Sequence, residues 1–335
     1  MKDQEARSLK MISSNENIYQ PEGLLIYTPE NREYLSSLQG LERAMQHGRI
    51  LEANVLMCDM GSRLLVDLMG IRGYIDREEC MLTHNGEKPK DIAIITRVGK
   101  PVCFKVMRIE YDRLGPYAVL SRREAQVECM ENYVSGLIPG DIIQVKVTHI
   151  ENFGAFVDIG CGIASLLSID SISVSRISHP RERLSVGMLI YTVVKMIDSS
   201  NGRLFVSMRE LLGTWNENAS EFKVGSTVAG IIRSIESYGI FVELAPNLAG
   251  LAELRESMAL SFNPEKCIGD RAAVYIKSII PEKMKVKLVL IDHTSSFDLP
   301  SPIKYYTDVS SVKHIDRWVY SPSVCNRTVE SIFES

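Results

Sequence analysis

The sequence lacks the features that announce most enzymes and membrane proteins. Its 335 residues contain no apolar run of 18 or more, and Met1-Lys2-Asp3-Gln4-Glu5 lacks the basic start and apolar stretch of a secretory signal, so a soluble cytoplasmic chain with no membrane partner is expected. The seven cysteines, at 58, 80, 103, 129, 161, 267 and 325, never fall in C-x-x-C spacing. That excludes a zinc ribbon and argues against a disulfide framework, leaving buried free thiols. The six histidines, at 47, 84, 149, 179, 293 and 314, form no H-E-x-x-H or paired-ligand spacing, and neither a Walker loop nor G-x-G-x-x-G is present. No catalytic residue, metal or cofactor is therefore expected. A basic excess is missing too: the formal charge is −4 and the pI about 6.0. Any nucleic-acid affinity must lean on stacking and a few placed charges more than on bulk counterion release.

What the chain does have is repetition. A pattern of about 75 residues occurs three times, opening at Gly48-Arg49-Ile50-Leu51, Gly140-Asp141-Ile142-Ile143 and Gly225-Ser226-Thr227-Val228. A second glycine marks the same internal point in each copy, at Gly99, Gly187 and Gly269. The spacing is too long for solenoid repeats, so each copy should be a domain with its own core. In copy two, alternation predicts strands over 142–150, 155–159, 163–167, 189–197 and 203–208. Five short strands in a module of this size predict a mainly β protein: three tandem five-stranded OB-fold barrels with short linker helices. The divisions are an N-terminal tail and helix (1–39), barrels at 40–130, 136–213 and 221–293, and a C-terminal tail (294–335).

Strand parity then selects candidate site residues. Ala155, Val157 and Ile159 should face the core, leaving Phe156 outside beside Asp158, with Phe153 at the turn entering the strand. In copy three, Ile240, Val242 and Leu244 should face in, Phe241 and Glu243 out, with Tyr238 at the entering turn. Copy one places Arg63, Leu65 and Asp67 outward and Ser62 at the turn, so stacking is expected to be lost there. Asn201-Gly202 marks a hairpin turn between Asp198 and Arg203, and Asp198 can equally be a turn residue bonding local amides. Lys146, Lys195 and Arg209 read as solvated surface charges.

These residues carry a resemblance. The run Val147-x-x-Ile150-x-x-Phe153-Gly154-Ala155-Phe156-Val157-Asp158-Ile159, closing with Ile197-Asp198-x-x-x-Gly202-Arg203-Leu204-x-x-Ser207-Met208-Arg209, resembles the RNA-binding repeat of bacterial small-subunit ribosomal protein S1. Copy two matches well and copy three more loosely. Copy one, with Gly70-Ile71-Arg72-Gly73-Tyr74-Ile75 and Val119-Leu120-Ser121-Arg122-Arg123, is similar to the family's degenerate first repeats. The resemblance implies RNA contacts at Phe153, Phe156, Asp198, Arg203 and a strand-three histidine, here replaced by Ser168, Glu253 in copy three and Asp76 in copy one. The Asp and Arg places hold Ile280 and Lys285 in copy three, and Glu110 and Tyr117 in copy one. Tyr238, Phe241 and Lys285 complete the candidate set. It further implies single-stranded RNA, mRNA above all, and the small ribosomal subunit as partners. The alternative is a protein-interaction scaffold that has lost RNA contacts and binds the ribosome, a nuclease or RNA polymerase.

At the ends, Thr28-Pro29 predicts the cap of one helix bearing Tyr34, Leu38, Leu41 and Met45 on the face toward the first barrel, after a mobile stretch over 1–20. Helices are expected over 122–133 and 208–220. The tail's Tyr305, Tyr306, Trp318 and Tyr320, interleaved with Lys304, Lys313 and Arg317, can either extend an RNA path or pack on the third barrel.

Overall fold

A computed structural model describes residues 18–83, 87–198, 203–253, 267–295 and 302–333. Of residues 1–20, expected to be mobile, 1–17 lie outside them, as does the turn at Asn201-Gly202; Tyr19, by contrast, is buried and donates from its hydroxyl to Glu128 at 3.0 Å. The chain forms two compact units, Met1–Leu137 with Asp158–Ala164, and Ile138–Val157 with Ser165–Ser335.

Three closed five-stranded barrels follow one another among the described residues. The first comprises β1 (Ile50–Cys58), β2 (Leu64–Leu68), β3 (Ile71–Ile75), β4 (Pro101–Asp112) and β5 (Gly115–Ser121). The second has β6 (Ile142–Glu151), β7 (Gly154–Asp158), β8 (Ala164–Ser168), β9 (Leu189–Asp198) and β10 (Arg203–Ser207). The third has β11 (Thr227–Glu236), β12 (Gly239–Ala245), β13 (Leu248–Glu253), β14 (Arg271–Ile280) and β15 (Lys285–Thr294). In each, strand three pairs in parallel with strand five while strands one and four close the ring, which is the OB-fold order. Alternation drives this: Ala155, Val157, Leu167, Val193, Leu204 and Val206 are buried in the second barrel, and Ile240, Val242, Ala252, Val274, Ile276 and Leu288 in the third.

Two carboxylates overturn simple parity. Asp158 was expected outside, yet it is buried, accepting from the backbone N–H groups of Glu22, Gly160 and Gly162. Glu22 forms an ion pair at 2.6 Å with the equally buried Arg122 of helix Arg122–Asn132. Desolvation and the neighbouring Glu22 charge push the Asp158 carboxyl up, whereas Arg122 and its hydrogen bonds hold Glu22 low against its own desolvation. Glu243 was also expected outside. It is buried as well, paired with Arg183 at 2.5 Å and Arg233 at 2.7 Å, and Arg233 bonds Glu182 in turn. A register shift in the β12–β13 ladder at Glu243–Ala245 breaks strict alternation there and leaves Leu244, expected inside, only partly buried.

The single N-terminal helix resolves into two, α1 (Pro29–Leu35, capped by Thr28) and α2 (Leu38–Gln46, capped by Ser37). The two hydroxyl residues at 36–37 end one helix and start the next. Gly40 permits their close approach, since a Cβ there would lie 2.4 Å from the Tyr34 carbonyl oxygen. Leu35, Leu41 and Ala44 still reach the first barrel's core. The 208–220 stretch becomes a 3-10 turn, Arg209–Leu212, followed by α5 (Trp215–Ala219); α3 (Asp91–Ile95) and α4, the Arg122–Asn132 helix above, precede them. Tail residues Trp318 and Tyr320 join the third barrel's core with Trp215, whereas Tyr305 packs on Tyr191 of the second barrel and accepts from its backbone N–H. The tail thus covers two barrels, not one. Arg209 is held by Glu210 and Ser331 instead of being freely solvated. Five of the seven thiols are buried and no disulfide forms. Among the described residues, no helix is long and apolar enough to cross a membrane.

Candidate nucleic-acid interface

The second barrel displays its rings at the junction of its first two strands. Phe153, in the turn between β6 and β7, is 54% exposed, and Phe156 is half-buried on the outer face of β7. Their ring centroids lie 6.1 Å apart at 90°, an edge-to-face pair. The turn is fixed by main chain: the Ile169 N–H donates to the Phe153 carbonyl at 2.9 Å. Gly154 makes the approach possible, because a Cβ there would sit 2.4 Å from the Leu167 oxygen. His149, on β6, lies nearly parallel to Phe156, with centroids 6.4 Å apart and 26° between planes, and is hydrogen-bonded to Glu151 at 2.6 Å. Sequence reading passed over His149 because the motif leaves its position unspecified and its parity along β6 is that of buried Val145 and Val147; Thr148 and His149 are exposed in succession, which breaks the alternation.

Asp198 and Arg203 face each other as direct partners across β9 and β10. Two residues further, Phe205 is half-exposed on the same side of β10 as Arg203, opposite the exposed Met196. This second missed aromatic was legible from alternation alone, since Leu204 and Val206 are buried. Ser168, standing at the histidine position, is half-buried and donates to the Ser171 hydroxyl at 2.9 Å; Lys195 donates to the same hydroxyl at 3.1 Å. A tethered lysine thereby supplies positive charge to a position that serine alone leaves neutral.

The third barrel rebuilds the same aromatic geometry. Tyr238 is 65% exposed, and its centroid lies 6.2 Å from half-buried Phe241 at 89°. Cross-strand pairing runs Phe241–Leu251–Lys287 over β12, β13 and β15, with Lys285 opposite Ile280 one step along. Lys287, exposed like Lys285, went unnoticed in the sequence. The acidic replacement Glu253 is ion-paired with Lys277 at 3.2 Å, which offsets the repulsion its carboxylate would offer a phosphate.

The first barrel corrects the expectation that its outer face has lost its rings. Ser62 is indeed buried, bonding Asp91 at 2.6 Å. Yet Tyr74 on β3 and Tyr117 on β5 meet edge-to-face at 5.5 Å, with Arg63 over one ring and Arg72 over the other at 4.5 and 5.8 Å from the centroids. Both arginines are spoken for, Arg63 by Asp59 and Arg72 by a bidentate pair with Asp112. Glu110 and Tyr117 stand opposite each other and are hydrogen-bonded, which raises the tyrosine's pKa. Asp76, at the histidine position, starts a 3-10 turn.

Residues 137–209, which span the second barrel, match the family model described as S1 RNA binding domain. Curated relatives include small ribosomal subunit protein bS1 of Leuconostoc lactis, 27% identical over 253 residues (72% of this chain, 56% of the relative), and the bS1 homolog of Bacillus subtilis, 29% identical over 223 residues (65% and 56%). The chain spans about half the length of the curated relatives it matches. A solved structure, GSP13 from Bacillus subtilis, is 27% identical over 22% of this chain and 56% of that one, with a TM-score of 0.21. The middle barrel thus matches the S1 RNA binding domain, and the chain that carries it is similar to bacterial small ribosomal subunit protein bS1.

Proposed function

We propose that the chain is a non-enzymatic protein that holds single-stranded RNA by base stacking, with mRNA at the small ribosomal subunit, and hence the cytoplasm, as its setting. Phe153 and Phe156 provide the platform, with Arg203 on phosphate and Asp198 orienting it. The observation that carries this reading is the repeated edge-to-face aromatic pair at the strand-one to strand-two junction of the second and third barrels, at 6.1 and 6.2 Å. That junction is where OB barrels bind oligonucleotides, and stacked rings accept any base. Tyr238, Phe241, Lys285 and Lys287 extend the same surface type to the third barrel. The scaffold reading draws support from the first barrel, whose arginines are already paired with carboxylates.

Photocrosslinking with a 4-thiouridine-containing single-stranded RNA, followed by peptide mapping, tests it. Adducts on the peptides holding Phe153–Phe156 and Arg203–Phe205 are expected. Adducts absent from both, with ribosomal or other protein partners captured instead, would favour the scaffold.

A further inference from the structure

The third barrel holds a cluster that the spacing of its members hides. Cys267, Asp270 and His293 each present one donor atom, and these atoms lie within 4.8 Å of one another. We propose that Cys267 Sγ, Asp270 and His293 bind a single zinc-class divalent ion, leaving one coordination position for solvent.

The geometry is built into the fold. Cys267 and Asp270 bracket a turn closed by the Asp270 N–H donating to the Cys267 carbonyl at 3.1 Å. Gly269 turns the chain there at φ 94°, a conformation unfavourable for other residues. Two further hydrogen bonds, Gly269 N–H to Ile232 O at 2.8 Å and Ile232 N–H to Asp270 O at 3.0 Å, fasten the turn to β11. His293 arrives from β15 as the cross-strand partner of Ala272, and its Nδ1 is 3.0 Å from Asp270 Oδ2. Cys267 and Asp270 are 5% and 7% exposed, whereas the His293 side chain is 28% exposed, so an ion can enter past the imidazole.

The donor set decides the ion. Tetrahedral zinc takes Cys, His and Asp donors at about 2.0–2.3 Å, which places ligand atoms roughly 3.3–3.7 Å from each other. The His–Asp separation is already near that range, and the widest pair needs to close by on the order of 1 Å. A thiolate donor disfavours magnesium and calcium. Binding releases the Cys267 proton to solvent and needs neutral His293, so affinity falls in acid.

The test is Co²⁺ titration of the full chain, stripped with chelator, at mildly alkaline pH. The expected result is a thiolate-to-cobalt charge-transfer band with visible d–d bands, saturating at one equivalent and displaced by Zn²⁺. Cys267→Ser should abolish the charge-transfer band, and Cys325→Ser, altering a half-buried tail thiol, should leave it. His293→Gln should weaken binding by at least about tenfold, the smallest loss expected when even an outer-shell partner is removed. No saturable band, or one that persists in Cys267→Ser, would show Asp270–His293 to be a plain ion pair. Should Cys267→Ser not fold, unchanged cobalt affinity in His293→Gln would overturn the site by itself.

Discussion

Replacing Glu243 with alanine should destabilise the third barrel by about 3 kcal/mol, the low end of the about 3–5 kcal/mol seen when one member of a buried ion pair is removed. The carboxylate faces two guanidinium groups, and the side chains of Glu243, Arg233 and Arg183 are only 4%, 6% and 11% exposed. Arg233 keeps Glu182 after the substitution, so its charge is not left wholly unpaired, whereas Arg183 loses its carboxylate partner. That asymmetry is why the low end applies. The assay is built into the molecule. Both tryptophans of the chain, Trp215 and Trp318, sit in the third barrel's core, so intrinsic fluorescence during urea unfolding reports this barrel within a multi-unit protein. Glu243→Gln, which keeps an acceptor but not the charge, should fall between wild type and Glu243→Ala. Exchanging Arg183→Met, Arg233→Met and Glu243→Leu together should recover most of the loss, because Glu182, which then loses Arg233, is partly exposed and still accepts from the Ser178 and His179 N–H groups. A Glu243→Ala midpoint equal to wild type would refute the claim that this network is a desolvated, mutually dependent unit.

Other expectations follow from the same geometry. Gly154→Ala drives a Cβ to within 2.4 Å of the Leu167 carbonyl and 3.0 Å of the Ser168 Cα, both backbone atoms that cannot swing aside. It should cost about 1–3 kcal/mol in thermal unfolding and weaken RNA binding by displacing Phe153. Glu52 accepts from the N–H groups of Gly23, Leu25 and Ile26, yet burial pushes its pKa up to about 7 from 4.5. The folded protein therefore keeps a proton that the unfolded chain releases between those values. Stability of the first unit should fall as pH rises from about 4.5 to about 7, by at most about 1.4 kcal/mol per pH unit for this group, and level off above. Asp158 acts in the same direction. Chemical denaturation across pH checks this, and Glu52→Gln should flatten the profile; a rise in stability over that window would contradict it.

Much of the fold was legible because glycine spacing and two-residue alternation report on the barrel directly. The second barrel's strands begin and end within a residue or so of their expected bounds. What alternation could not report is a strand whose outer side is covered too. Asp158 is covered by Glu22, distant in sequence, together with the nearby Gly160 and Gly162 amides, and Glu243 by Arg183 and Arg233 at a point where a register shift interrupts the alternation. The candidate surface was partly visible for the same reason. Phe153 and Phe156 stand out within a motif, whereas Phe205 and Lys287 carry only a parity signal, and His149 shares the parity of buried Val145 and Val147. The Tyr74–Tyr117 pair joins two strands that neighbour each other only through the parallel closure of the barrel. Cys267 and His293 come together only through the β14–β15 pairing.

The most direct test of the account is fluorescence anisotropy of a labelled single-stranded RNA titrated with wild type and with Phe153→Ala/Phe156→Ala, each at two salt concentrations. Phe153 is mostly exposed and Phe156 half-buried, so the double variant should retain the wild-type circular dichroism spectrum. At about 1–3 kcal/mol per stacked base, loss of one stacked base weakens binding by roughly 5- to 150-fold, and loss of two compounds it. With few placed cations, wild-type affinity should change only moderately with salt. Affinity unchanged in the folded double variant, or a steep salt dependence that overrides the ring substitutions, would contradict stacking as the basis of binding.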